Sequence, residues 1–276
     1  MTQTRLPEPA VPAGRRVVPA VLAAVRAVGL PLLGVLTALT GWWLATAVLQ
    51  LIHPLVLPPP GDVWAEFPNS LDRLMHHASI TTREVVLGFL ISAALGIVIG
   101  LGLAASHVVE RMFMPLLVAV NAVPKITIGP LLVVALGWGQ TPILTMVFLL
   151  CFFPIVLATA TGLAGTPADL AELARSLDAS RWQTFRKVRL PAAVPQIFVG
   201  LKVGMPLAAI GAVIGEFQAG EGGLGYLIQA AAGVGQSTLV WAAILLIGAI
   251  SIVLYFLLVL AERLALPWVR ETTSAR

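Results

Sequence analysis

The sequence is short of charge and nearly devoid of cysteine. Only 11% of its 276 residues are Asp, Glu, Lys or Arg, against 58% that are hydrophobic. A water-soluble domain carries roughly a quarter of its residues charged, so a soluble globular enzyme is excluded. Cys151 is the single cysteine, which excludes an intrachain disulfide and leaves no second thiol for a metal. The histidines, His53, His76, His77 and His107, stand at no metal-ligand spacing from carboxylates or thiols. Met75-His76-His77 is the one place where a metal is conceivable, and solvated loop histidines are the default, so no metal site is assigned. No Ser-His-Asp or paired-carboxylate arrangement can be argued, so no catalytic residue is assigned. The phosphate-cradling Gly-x-x-x-x-Gly-Lys-Ser/Thr run is missing as well, and with it that means of binding ATP. One Gly-x-Gly-x-x-Gly is present, at Gly220, Gly222 and Gly225, but no strand precedes it and no βαβ unit surrounds it. It therefore reads as a tight turn or re-entry rather than a dinucleotide site.

What the chain has in abundance is long apolar runs, and its mean hydropathy is +0.95. Six stretches, 28–52, 84–105, 112–136, 141–163, 196–217 and 239–262, each hold 20 or more residues. As helices they reach about 30 Å, the thickness of the hydrocarbon layer. The expected fold is all-α: a polytopic membrane protein with six transmembrane helices over 28–262. Residues 1–27 and 263–276 read as tails. The apolar run after Arg15-Arg16 is broken by Arg26 and then continues into a full span, so no cleavable signal is read there. Pro58-Pro59-Pro60-Gly61 ends the first span abruptly. Residues 53–83 read as a polar segment with a helix lying along the membrane surface.

Net charge is +4. The cations cluster at span ends, which points to basic loops rather than nucleic-acid binding. With the N-terminus inside, 13 Lys and Arg fall on the cytoplasmic side, and only Arg73 and Arg83 on the other. That asymmetry predicts both termini, and the loop 166–195, in the cytoplasm of a cell or inner membrane protein.

That loop is the one long polar interruption between spans. Thr166, Pro167 and Asp169 make a helix start, and Leu170, Leu173 and Leu177 recur at helical spacing behind it. Ser180 with Gln183 repeats the cap, Trp182, Phe185 and Val188 make a second stripe, and Leu190-Pro191 is expected to stop the helix. A loop of two short amphipathic helices has an apolar ridge to offer a soluble partner.

The spacing here resembles the loop motif of ATP-binding-cassette importer permeases: Glu-Ala-Ala, three residues, Gly, nine residues, Ile-x-Leu-Pro. This chain reads Glu172-Leu173-Ala174, then Asp178, then Val188-Arg189-Leu190-Pro191, with the spacing kept. Leu173, Asp178 and Val188 depart from it. Asp178 stands at the bend, where Asp tolerates a left-handed backbone better than most residues. Leu57-Pro58-Pro59-Pro60-Gly61-Asp62-Val63-Trp64, Val123-Pro124-Lys125-Ile126 with Gly129-Pro130-Leu131, Phe152-Phe153-Pro154-Ile155, and Gly215-Glu216-Phe217 before Gly223-Leu224-Gly225-Tyr226-Leu227 extend the likeness. They are similar to the nitrate, sulfonate and taurine subfamily of these permeases.

The resemblance implies a coupling helix, Glu172 through Asp178 with Leu173, Ala174 and Leu177, seated in a groove on a partner ATPase dimer. Trp182 and Phe185 would brace it against the span ends, and Leu190-Pro191 close the motif. It further implies a permease homodimer in lipid, fed by an external substrate-binding protein docked over 53–83 and 218–238. No cofactor belongs to this chain, and ATP and Mg are used by the partner. The chain is then not itself an enzyme. The cargo implied is a small, anionic, nitrate-, sulfonate- or taurine-like solute. Members also carry pyrimidine or thiamine precursors and aromatic acids.

Lys125 is the ionisable residue that matters most inside a span, next to Pro124. A lone charge there costs on the order of 2.5–3.5 kcal/mol, so it needs a cavity or a partner. Three readings stand: a cation for an anionic substrate, a structural ion pair with Glu216, or a side chain reaching an interface. Asn121, Thr127 and Met205 are candidates for the same path, and Glu216 reads as the only acid deep in a span. Two other classes are a secondary transporter without an ATPase and a membrane scaffold. The first needs inverted repeats or several intramembrane acids, which the sequence does not display.

Overall fold

The computed structural model describes residues 14–267, which hold helices and no strand. They divide between Trp64 and Ala65 into two compact units. In the first unit α1 (Gly14–Trp43) runs on into a single π turn, Leu44–Val48. The helix thus begins inside the segment read as a tail, of which 1–13 lie outside the described residues. Gly29–Val48 is long and apolar enough to cross a membrane. It stops short of the expected residue 52 because Gln50 takes a positive φ of 48°. Trp42 Nε1–H donates to Pro58 O at 3.0 Å, folding the proline run back on the helix end. α2 (Pro60–Asn69) starts at the last of those prolines, whose missing N–H costs nothing at a helix start.

The second unit is built on three helices. α3 (Leu71–Ala105), α6 (Gln140–Ala164) and α9 (Leu190–Ala219) pack with α6 in the middle. α3 shows α6 a stripe of small residues, Gly88, Ser92, Gly96 and Gly100, four apart. A Cβ on Gly100 would stand 2.5 Å from Thr159 Cβ. On the other side of α6, a Cβ on Gly211 of α9 would stand 2.7 Å from Val147 Cα. Where lipid is as apolar as leucine, such close backbone approach is what holds helices together. The buried core follows this seam through Val85, Phe89, Val147, Cys151, Ile155 and Ala208. Cys151 is one of its packing groups, its thiol donating to Gly204 O at 3.3 Å.

Three expected boundaries are corrected. α3 is one helix from Leu71, so the second half of the presumed polar segment continues the helix of the second span and is not a separate surface helix. The third span is not one helix: α4 (His107–Ala122) and α5 (Lys125–Leu136) meet at 89°. Pro124 has no N–H to continue α4, and it holds Val123 in an extended conformation (φ −66°, ψ 129°). Finally, Leu190-Pro191 does not stop a helix. α8 (Arg181–Thr184) passes through a π turn, Phe185–Arg189, directly into α9, and Pro191 falls in the first turn of α9. The wider turn supplies the room that the proline ring needs.

α10 (Leu224–Gly233) follows α9 after a four-residue turn, and α11 (Ser237–Ala265) completes the chain as the sixth expected span. Among the described residues, five helices qualify as membrane-crossing on length and composition, and six spans result if the bent pair counts as one. Residues 268–276 of the expected C-terminal tail lie outside the described residues.

Candidate functional site

At one end of the second unit the chain between α6 and α9 forms an elbow. α7 (Ala168–Ser176) ends where Asp178 adopts φ 53°, and Ala179 N–H donates to Ala174 O at 3.0 Å. This six-to-one bond around a left-handed residue is the Schellman ending, with Asp in the place glycine usually holds. Two residues later a capping box starts α8. Gln183 N–H donates to Ser180 Oγ at 3.2 Å, and Ser180 N–H to Gln183 Oε1 at 2.8 Å.

The elbow leaves its apolar ridge outside. Leu173 and Leu177 are 57% and 73% exposed, Leu170 stands beside them, and Glu172 is exposed. Ala174 is buried, on the side turned back toward α8. A groove of about 370 Å³ separates that ridge from Gln183, Lys187 and Val188. Trp182 does not brace the elbow against the span ends as expected: it is 66% exposed and stacks on Phe185, whose ring packs on the core. Leu190 and Pro191 are half-buried inside the continuous helix. Behind the elbow, Leu101, Ala105, Leu163, Phe185, Arg181 and Arg189 line a cavity of about 600 Å³.

Of the five path candidates, Asn121 and Lys125 come together, and Met205 and Glu216 do not join them. Lys125 Nζ donates to Asn121 O at 2.9 Å and to Asn121 Oδ1 at 2.7 Å, across the break between α4 and α5. Those bonds tie the ammonium to the last turn of α4, where helix carbonyls lack partners. Thr127 Oγ1 donates to Pro124 O at 2.6 Å. Met205 is buried in the helix core, facing α3 and α6 rather than a path. Glu216 is not paired with Lys125. It is 1% exposed and serves the opposite end of the second unit from the elbow.

There Glu216 meets the first turn of α10. Thr81 Oγ1–H donates to Glu216 Oε1 at 2.6 Å, and Leu224 N–H donates to Thr81 Oγ1 at 2.7 Å. Gly225 N–H donates to Glu216 Oε2, Tyr226 N–H donates to the same carboxylate, and Gly223 N–H donates to His77 Nδ1 at 3.1 Å. His77 is thus engaged with backbone, not a solvated loop residue. A Cβ on Gly225 would stand 2.7 Å from Glu216 Oε2, and Gly223 sits at φ 97°. The glycine-rich turn therefore does hold a pair of acceptor oxygens, but they are those of the chain's own Glu216. Glu84 was missed. It lies in hydrogen-bonding contact with Glu216, so two acids, not one, are buried in the spans. The signal was there: His77, Thr81 and Glu84 recur at helical spacing on one face of α3.

Fold and site define a multi-pass helical membrane protein that displays an amphipathic elbow at one end. Residues 93–271 match the family model of the binding-protein-dependent transport system inner membrane component, and the chain belongs to that family. It is 34% identical over 244 residues to a riboflavin transport system permease protein of Chloroflexus aurantiacus, covering 88% of this chain and 90% of that one. It is 31% identical over 228 residues to a putative aliphatic sulfonates transport permease protein of Bacillus subtilis, covering 82% and 83%. Its fold is similar to that of the MetNI methionine ABC transporter in inward-facing conformations (TM-score 0.53, 20% identity, 67% of this chain and 92% of that one). The chain is thus a membrane component of a binding-protein-dependent transporter and not an enzyme; ATP hydrolysis belongs to a separate subunit. That excludes a secondary transporter and a scaffold.

Proposed function

We propose that this chain is the translocating subunit of an ATP-driven importer for a small anionic solute. Two copies enclose the path, lipid covers the exposed leucines of α1 and α11, and an ATPase dimer holding ATP and Mg docks on the elbow. Both termini and the elbow lie in the cytoplasm, and an external binding protein delivers the solute at the opposite end. The observation that carries this reading is the elbow itself. Its leucines are exposed beside Glu172, although a stiff Schellman-and-capping-box frame fixes them. Burying the exposed parts of two such leucines on a partner is worth about 2–4 kcal/mol before the cost of association. Lys125 supports the anionic cargo. Its ammonium has three N–H groups, Asn121 takes two, and the helix break beside it frees backbone groups of the kind that bind solutes within membranes. A neutral heteroaromatic cargo is the second reading, favoured by the riboflavin relative.

The test is binding-protein-stimulated ATP hydrolysis in vesicles that combine this chain with the ATPase and binding protein of its own transporter. Glu172→Lys should assemble yet lose the stimulation, by about tenfold or more for a charge reversed against a docked surface. Absence of any stimulation with the wild-type chain sinks the reading. A panel of sulfonates, nitrate and flavins then separates the two cargo classes.

A further inference from the structure

A helix leaves its first N–H groups without partners, and burial makes that costly. At the start of α10 the N–H groups of its N-cap Gly223 and of Leu224, Gly225 and Tyr226 all find side chains from other helices: His77 and Thr81 of α3, and Glu216 of α9. Both oxygens of Glu216 accept from these donors, so Glu216 acts as an acceptor only, a negative charge seated on the positive end of α10. The contact between Glu84 and Glu216 needs a proton, and Glu216, with three donors already aimed at its two oxygens, offers its remaining lone pair to that contact as an acceptor. The proton belongs to Glu84. Its second oxygen, Oε2, is buried without a partner, which a neutral carbonyl tolerates and a carboxylate does not. Arg73, Arg83, His76 and Tyr226 are the other titratable groups nearby, and Glu84 and Glu216 are themselves 5% and 1% exposed.

We propose that Glu216 is a positioning residue: its carboxylate, backed by a proton-bearing Glu84, latches the N-terminus of α10 onto α3 and α9. The latch sets the height and tilt of α10, whose Leu224, Leu227 and Ala231 are buried while Gly233 and Val234 face outward. On the importer reading above, that outward end is part of the surface on which the binding protein lands, so the latch relays docking into the spans. The latch itself does not depend on that reading.

Amide hydrogen exchange over residues 220–233, in the full transporter held in nanodiscs, tests it. Glu216→Gln replaces an acceptor by a donor facing N–H groups. Exchange there should quicken by about tenfold or more, the scale of losing charge-assisted bonds. Glu84→Gln keeps a donor toward Glu216 and should leave exchange within about twofold of wild type. If Glu216→Gln does not reach the membrane, Thr81→Val serves instead and should quicken Leu224 selectively. The ratio of binding-protein-stimulated to basal ATP hydrolysis should fall with Glu216→Gln and hold with Glu84→Gln, a split that mere loss of packing would not produce. Equal effects of the two glutamine variants, or unchanged exchange in Glu216→Gln and Thr81→Val, overturn the latch. Wild type without stimulated hydrolysis but with the expected exchange pattern overturns the importer reading and leaves the latch standing.

Discussion

Asp178 carries the elbow's bend on a single residue. At φ 53° an L-residue suffers a clash between its Cβ and the following carbonyl, and Asp is among the few that tolerate it. Glycine at this position should therefore be neutral or slightly stabilising. A β-branched side chain has no local hydrogen bond to offer and should cost about 1–2 kcal/mol. Thermal unfolding of the purified chain in detergent should show Asp178→Gly at or above wild type and Asp178→Val below it. Stimulated ATP hydrolysis should follow the same order, because the bend aims Leu173 and Leu177. A destabilising Asp178→Gly would mean that the carboxylate, rather than the backbone, is what the bend requires. The bend was legible in the sequence because the motif spacing marked its position. Of the polar latch only the helical spacing of His77, Thr81 and Glu84 was legible, because Glu84 falls at the margin of an apolar run, where an acid reads as a boundary marker. Only the fold brings Glu84 to Glu216, 132 residues further along.

At the scale of helices, the small residues carry the argument. Hydrophobic periodicity locates spans well but is silent on which face packs, since lipid-facing and protein-facing sides are equally apolar. Spacing of glycine supplies what periodicity cannot. On α3, Gly100 faces Thr159 at 2.5 Å from where a Cβ would stand, while Gly102, half a turn on, meets nothing within 4 Å. Gly100→Ala should cost about 1–3 kcal/mol through overpacking against α6. Gly102→Ala should be neutral, or stabilising by up to about 1 kcal/mol from helix propensity. Detergent melting temperatures and membrane yields of the two variants check this on one helix, with the same substitution. Comparable losses at both sites would show that α3 packs on a different face. Helix interruptions were the less legible feature. Pro124 and Pro191 each promise a break, yet one gives an 89° corner and the other a continuous helix. The difference is what precedes them. Val123 is extended, whereas the residues before Pro191 open into a π turn that absorbs the ring.

For the whole molecule the open variable is which way the spans face, and charge makes a definite forecast. Thirteen Lys and Arg against two, counted outside the apolar runs of the sequence, forecast the elbow in the cytoplasm and the α10–α11 turn outside. The chain is well suited to measuring this, because its one native thiol, Cys151, is 0% exposed in the core between α6 and α9. Single cysteines can then be added without removing it. Leu177→Cys places a thiol on a side chain 73% exposed at the elbow, and Val234→Cys one that is 71% exposed at the far end. A membrane-impermeant maleimide should label Val234→Cys in intact cells and leave Leu177→Cys untouched, with the pattern reversed in inverted vesicles. The reverse pattern in intact cells would set the elbow outside, where no ATP-hydrolysing partner can reach it. Labelling of both from one face would mean that α9 does not cross, and the span count itself would fall. With the forecast pattern, the exposed leucines, the basic loop and the single-residue bend all meet the compartment that holds ATP.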